Sequence, residues 1–375
     1  MIALALLLAC RNDKAEDTEA DPAADTSEST PAVSIELRTG RTDRDGYVDV
    51  EVEVGPDELF QVMTRRNRGW MSTDYIYGPD GSAVLDWEDW YEAPRSLTSC
   101  FFPSRATTTV NWPVRDEDGP LNEGTWTVRA AALTSQLAYE ANVDVDIAVL
   151  KRRDTDLTRG NLRVVVSYTE GLREDPEVVR GPEAAVDYWT QLYATQGITM
   201  SVTYEDIATD PDLPDTYQGL ADLDTFAAGL AEPSVIVVIG DSIAGSSDAI
   251  YGEAGGIPGP YRPSPSGAVF ASWLANAGGD ATFQPPDILI YGETLAHEVG
   301  HYLGLFHPVE DGYQNWDALA DTTECRAWGA CDDALGANLM YPYPVCTGYA
   351  AATCGRQDQL SAQQGGVLHR WIGVE

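Results

Sequence analysis

The sequence predicts two folded regions of different class. An all-β region, a sandwich or jelly roll, runs from residue 33 to 153, and an α+β or α/β region follows over 154 to 375. Three observations predict this. In the first region Val48, Val50, Val52 and Val54 alternate with Asp49, Glu51 and Glu53, so that one face is buried and one is wet. After Arg152-Arg153-Asp154 the rhythm changes to strand and helix in turn. The length of 375 residues is sufficient for two cores.

The chain begins with a short apolar run, Met1 to Cys10, closing on Leu8-Ala9-Cys10. It is too short to span a bilayer as a helix, which needs about 20 apolar residues. It resembles a bacterial lipoprotein signal, in which cleavage leaves Cys10 as the lipid-bearing first residue; an ordinary secretory signal, or none, are the alternatives. Residues 11 to 32 are rich in Asp, Glu, Ser, Thr and Ala with few large apolar groups, and read as a disordered acidic linker.

Thr125 to Arg129 and Val143 to Leu150 read as further strands of the β region, separated by Gly- and Pro-containing turns. Trp70, Trp87, Trp90 and Trp112 are core residues or the lining of a ligand groove. Beyond residue 154, Leu162 to Tyr168 reads as a strand. Pro182 suits the first turn of a helix whose stripe is Ala185, Val186, Trp189, Leu192 and Tyr193, ending before Gly197. Ile198 to Tyr204 is a second strand and Ser234 to Ile239 a buried one, with a helix marked by Leu220, Leu223, Phe226, Ala227 and Leu230 between them. Ser361 and Gln364 form a capping box for a last helix that turns Val367, Leu368 and Trp371 inward. His369 stands near its C-terminal end, where a cation is mildly favoured, rather than among ligands.

The chemistry is concentrated in residues 297 to 307, His-Glu-Val-Gly-His-Tyr-Leu-Gly-Leu-Phe-His, which hold three of the chain's 4 histidines. On a helix starting near Glu293, His297 and His301 project from one face about a turn apart, close enough to grip one ion. Leu295, Ala296, Val299 and Leu303 would be the buried side. Gly304 ends the helix cheaply in a left-handed conformation, and the chain turns to bring in His307. Three neutral imidazoles with one open position suit catalytic zinc, and Glu298 can reach a water beside the ion without being a ligand.

This pattern, followed by Asn338-Leu339-Met340-Tyr341-Pro342, resembles the metzincin metallopeptidases and their methionine turn. Leu-Met-Tyr-Pro resembles the matrixins. The cysteine-bearing insertion between His307 and Met340, and the helix over Leu360 to Trp371, resemble the pappalysin-like group. The resemblance implies a twisted sheet, a zinc helix, Met340 beneath the ligands, and a loop and edge strand over 252 to 272 that pair with extended substrate. It implies a zinc endopeptidase acting on a peptide or protein substrate, with Glu298 as general base. The alternative is a cell-surface binding protein that keeps the fold as a scaffold. Several metzincin families carry a tyrosine two residues after the methionine; here that position is Pro342, flanked by Tyr341 and Tyr343.

Cys325, Cys331, Cys346 and Cys354 cluster around the methionine turn and suggest two disulfides of open connectivity, with a second zinc site as the rival reading. Cys100 stands apart, as a buried free thiol or an upstream thiolate that keeps the zinc latent. Asp317, Asp321, Asp332 and Asp333 would suit calcium (Ca2+) or a solvated acidic loop. A net charge of −37 argues against nucleic acid and against anionic lipid surfaces, leaving the membrane reachable through the Cys10 anchor. Together these features point to an extracytoplasmic protein, lipid-anchored in the cell envelope or secreted. The oligomeric state is not legible.

Overall fold

Two-residue alternation produces the first sheet. In the computed structural model, which describes residues 33–87, 104–153, 156–216, 218–246, 250–262, 264–278, 281–310, 312–343 and 356–375, seven strands form it. They are β1 (Val33–Arg41), β2 (Tyr47–Val54), β3 (Glu58–Tyr77), β4 (Ala83–Asp86), β5 (Ser104–Trp112), β6 (Gly124–Leu133) and β7 (Asp144–Arg153). The order is β1-β7-β3-β6-β2, with β4 and β5 also on β3, and every pairing is antiparallel. In β2 the four valines are buried between exposed acidic residues, as the alternation requires.

The expected sandwich is built from one bent sheet. β3 is 20 residues long; Glu58 to Arg65 pair with β7, and Trp70 to Tyr77 pair with β6. The two halves meet face to face: the Phe60 and Trp126 rings lie 6.1 Å apart. A Cβ on Gly40 of β1 would stand 2.9 Å from Ile147 and 3.1 Å from Val48. The single long strand feeds hydrogen bonds to both layers, which short strands could not do. Trp112 is core, Trp70 and Trp87 are half-buried, and Trp87 donates from Nε1 to the Tyr75 hydroxyl. Trp90 and Cys100 lie outside the described residues, as do Cys10, the 11 to 32 linker, Cys346 and Cys354.

The second sheet contains β8 (Gly160–Tyr168), β9 (Ile198–Asp206), β11 (Val235–Gly240), β13 (Gly252–Ala254) and β14 (Val269–Ser272). Its order is β13-β14-β11-β8-β9; the strands are parallel except β13, which runs antiparallel along the edge. β11 is buried at every position, as a parallel strand covered on both faces must be. A two-stranded pair, β10 (Asp212–Leu213) with β12 (Ser242–Ile243), lies apart from this sheet. The helices are α1 (Pro176–Ala194), α2 (Leu223–Gly229), α3 (Trp273–Asn276), α4 (Pro285–Tyr302), α5 (Trp328–Leu335) and α6 (Ala362–Arg370).

Two helices start earlier than their sequences indicate. α1 begins at Pro176, capped by the Asp175 carboxylate on Glu177 N–H at 2.9 Å, so Pro182 is inside the helix and not in its first turn. Gly181 precedes it in tight packing, since a Cβ there would lie 2.0 Å from the Phe283 ring. α4 begins at Pro285 rather than near Glu293, through a Gln284–Asp287 capping box. Gly292 lets α4 approach α1: a Cβ there would meet the Ala185 carbonyl at 2.7 Å. Tyr193 then donates to the Ala296 carbonyl at 2.9 Å. The stripe expected of α1 is buried throughout.

The insertion after His307 has its own small core of Val309, Trp316, Cys325, Cys331, Leu335 and Tyr341, closed by a Cys325–Cys331 disulfide. Both sheets belong to one compact unit, Ala32–Glu375. Among the described residues no helix is long and apolar enough to cross a membrane.

Candidate metal centre

Helical spacing sets His297 and His301 on one face of α4, with their Nε2 atoms 3.1 Å apart. At Gly304 the backbone takes φ 114°, which glycine adopts without a Cβ clash. Leu305 N–H closes the helix end on the Gly300 carbonyl. The chain then reverses, and His307 Nε2 arrives 3.1 Å from that of His301 and 3.3 Å from that of His297.

The opposite nitrogens are all committed. His297 Nδ1 donates to the Leu339 carbonyl and His301 Nδ1 to the Leu305 carbonyl, each at 2.7 Å, while His307 Nδ1 faces Glu310 Oε2 at 3.0 Å. These acceptors assign the proton of each neutral ring to Nδ1. Burial, with the neighbouring His307, holds His297 down to about 3. Burial and both neighbouring imidazoles hold His301 well below the usual range. Three Nε2 lone pairs therefore face one another with no proton to share. The set can hold a metal ion. Nitrogens about 2.0–2.1 Å from a tetrahedral zinc would stand about 3.3–3.4 Å apart, close to the spacing found, so the residues fit that ion.

Glu298 is half-buried beside the rings and accepts the Ala254 backbone N–H. Burial, reinforced by the charge of Glu253, pushes its carboxyl up to about 8. A cation on the three imidazoles would favour the ionised form and draw it down again. The edge strand β13 lies directly against this side chain. A Cβ on Gly252 would stand 2.6 Å from Glu298 Cγ, so only glycine leaves room.

Met340 is fully buried under the same turn of α4, where a Cβ on Gly300 would come within 2.7 Å of its Sδ. Its loop is pinned by Leu339 N–H on the Gln359 carbonyl at 2.7 Å and Met340 N–H on Asn338 Oδ1 at 2.9 Å. Asn338 and Gln364 exchange amide hydrogen bonds, tying the loop to the start of α6. The Tyr341 hydroxyl donates to Asp332 at 2.7 Å inside the insertion core.

Three of the four acidic residues weighed for calcium, Asp317, Asp321 and Asp332, accept hydrogen bonds from the protein itself. Asp317 accepts Leu319 N–H and the Thr322 hydroxyl, and Asp321 accepts the Ser361 hydroxyl and Gln363 N–H at the start of α6. Among the described residues, the three histidines are the group whose ligand atoms gather. Sequence reasoning brought together His297, Glu298, His301, Gly304, His307 and Met340. It missed Glu310, Gly300, Gly252 and Ala254. Only Glu310, an acid three residues after His307, had a local signal; the others become significant through contacts distant in sequence.

No family model matches this sequence, and no curated protein matches it. Among solved structures, it is similar to archaemetzincin from Methanopyrus kandleri, with 18% identity, a TM-score of 0.26, and coverage of 39% of this chain and 76% of that one. It is also similar to metalloproteinase-II from Bacteroides fragilis, with 13% identity, a TM-score of 0.28, and coverage of 48% of this chain and 59% of that one. Both are metallopeptidase structures, at a similarity too low to carry an argument. The functional reading therefore rests on the geometry of the site.

Proposed function

We propose that this protein is a zinc-dependent endopeptidase, with His297, His301 and His307 holding the ion and Glu298 as general base. The observation that carries the reading is the convergence of three Nε2 lone pairs whose partner nitrogens are already engaged. The resemblance of the His297-to-Met340 motif to the metzincins supports it. Zinc, when bound, polarises a scissile carbonyl and lowers the pKa of a water toward neutral. Glu298 takes a proton from the attacking water on its carboxylate and returns it to the leaving amine nitrogen. Ala254 N–H orients that carboxylate. β13 is the edge strand beside Glu298, paired on its other side with β14, which is where the metzincin resemblance puts extended substrate.

The proposal extends to the rest of the chain. A β-sandwich-like domain occupies residues 33 to 153 and the peptidase domain 154 to 375, outside the cytoplasm, with Cys10 bearing lipid and residues 11 to 32 as a tether. Fatty-acid labelling of wild type against Cys10→Ala tests the anchor, and equal label in both refutes it.

Metal content measured beside cleavage of a mixed peptide library tests the chemistry. Glu298→Gln should keep its zinc and lose activity about 10²- to 10⁴-fold, the usual worth of a general base. Wild type that holds zinc yet cleaves no peptide would favour the scaffold reading, and a Glu298→Gln enzyme as fast as wild type would remove Glu298 from the mechanism.

A further inference from the structure

Three buried polar side chains of the first sheet bond to backbone groups of the second region. Asn111 on β5 donates to the Arg370 carbonyl at 2.6 Å and accepts Ile372 N–H at 3.1 Å. Arg152 on β7 donates to the carbonyls of His369 at 2.6 Å and Trp371 at 3.3 Å. Gln61 on β3, 0% exposed, accepts Tyr261 N–H on Oε1 at 2.8 Å and donates from Nε2 to the Gly259 carbonyl at 3.4 Å. An amide in the middle of a buried strand is costly unless its partners are supplied, and here both come from one loop.

That loop is the wall of the metal site's sharp turn. Gly259 N–H donates to the Tyr302 carbonyl at 2.7 Å, and a Cβ on Gly259 would collide with the Tyr302 ring at 2.1 Å. The Tyr302 hydroxyl sits 2.7 Å from the Pro260 carbonyl and 2.9 Å from that of Gly267. Tyr302 is the last residue of α4, next to His301, and Gly304 follows, where a Cβ would stand 3.5 Å from Val367 and 3.9 Å from Pro258. The route from the sheet to the ligands is Gln61, the 258 to 261 loop, Tyr302, and the turn that delivers His307.

We propose that Gln61 is a positioning residue for the metal centre, which makes the first sheet a working part of that centre. The proposal rests on the zinc reading given above. Linkage is reciprocal: if Gln61 favours the arrangement that binds zinc, zinc must in turn stabilise the loop that Gln61 holds.

Two measurements test this on the full chain. In wild type, adding zinc should slow amide hydrogen exchange at Gly259 and Tyr261 as well as at Leu305, while Val50 and Val52 in β2 stay unchanged. Gln61→Leu keeps the side chain's bulk and removes both hydrogen bonds. Its zinc affinity, measured by chelator competition, should fall about tenfold or more, as for other supports of metal ligands. Val50→Ala is the control: it lowers the melting temperature and leaves zinc affinity as in wild type. Zinc bound equally tightly by wild type and Gln61→Leu defeats the proposal, and so does zinc that leaves Gly259 and Tyr261 exchange unaltered. If Gln61→Leu does not fold, the wild-type exchange decides alone. A wild type that takes up no zinc defeats the peptidase reading, and this inference with it.

Discussion

The C-terminal ends of α4 and α6 each bury a histidine, and the two rings are used differently. His369, 3% exposed, donates from Nε2 to the Gln196 carbonyl at 2.7 Å, while its own carbonyl receives Arg152. His301, 6% exposed, makes a comparable bond from Nδ1 to the Leu305 carbonyl, yet its Nε2 meets two other acceptor nitrogens. Burial and residue type are nearly the same at both places. What separates the two rings is where Nε2 points: that of His369 is spent on a backbone carbonyl, and that of His301 faces the Nε2 atoms of His297 and His307.

The largest effect should separate these two residues. His301→Ala should empty the metal site and abolish peptide cleavage, whereas His369→Ala should keep the metal at full stoichiometry and lose about 1–3 kcal/mol of stability from the Gln196 carbonyl it orphans. Elemental analysis beside chemical denaturation checks both, and a His369→Ala protein without metal would erase the distinction.

Glu310 comes next, because it faces the Nδ1 side of His307. Glu310→Gln should weaken zinc binding about tenfold in chelator competition, since a charged partner to a ligand's second nitrogen supports its basicity. Unchanged affinity would reduce the 3.0 Å contact to a surface pair.

A smaller effect concerns the charge beside the rings in metal-free protein. Glu298 titrates at about 8 when folded against an ordinary 4.5. Below 4.5 both states are protonated; between 4.5 and 8 the unfolded chain ionises while the folded one keeps its proton. Stability is therefore lost as pH rises through that window. Metal-free Glu298→Gln should match wild type near pH 4 and exceed it by roughly 1–3 kcal/mol near pH 8, a figure discounted for partial exposure. His297, depressed to about 3 from 6.5, has the opposite trend, losing stability as pH falls below 6.5, and cancels in the comparison. Added zinc should shrink the difference, and denaturation across pH with and without the ion measures it.

The disulfide in the insertion should matter about as much and only locally. Reducing it, or changing Cys325 and Cys331 to serine, should lower stability by about 2 kcal/mol, given the short loop it closes, with metal stoichiometry intact. Mass mapping under non-reducing conditions should also join Cys346 to Cys354.

The metal site was legible because it is local. Eleven consecutive residues carry the three converging histidines, Glu298 and the turn glycine, and helical periodicity with one left-handed glycine converts that spacing into geometry. Several strands were legible for the same reason: Val48 to Val54 alternate, and Val235 to Ile239 are continuously apolar, whatever they pack against; β1, β3, β4 and β5 were not singled out from the sequence. At two places the sequence by itself indicated helix starts that are too late, Pro182 in a first turn and Glu293 for the histidine helix. Only the tertiary structure shows the earlier starts, at Pro176 and Pro285, with Gly181 packed on the Phe283 ring and Gly292 on α1. The partners of the imidazoles' second nitrogens, the glycine that admits Glu298, the methionine under Gly300 and the amide of Gln61 all depend on chain segments far apart in sequence. Local preference cannot encode such contacts one at a time, because each exists only after the sheets and helices have packed.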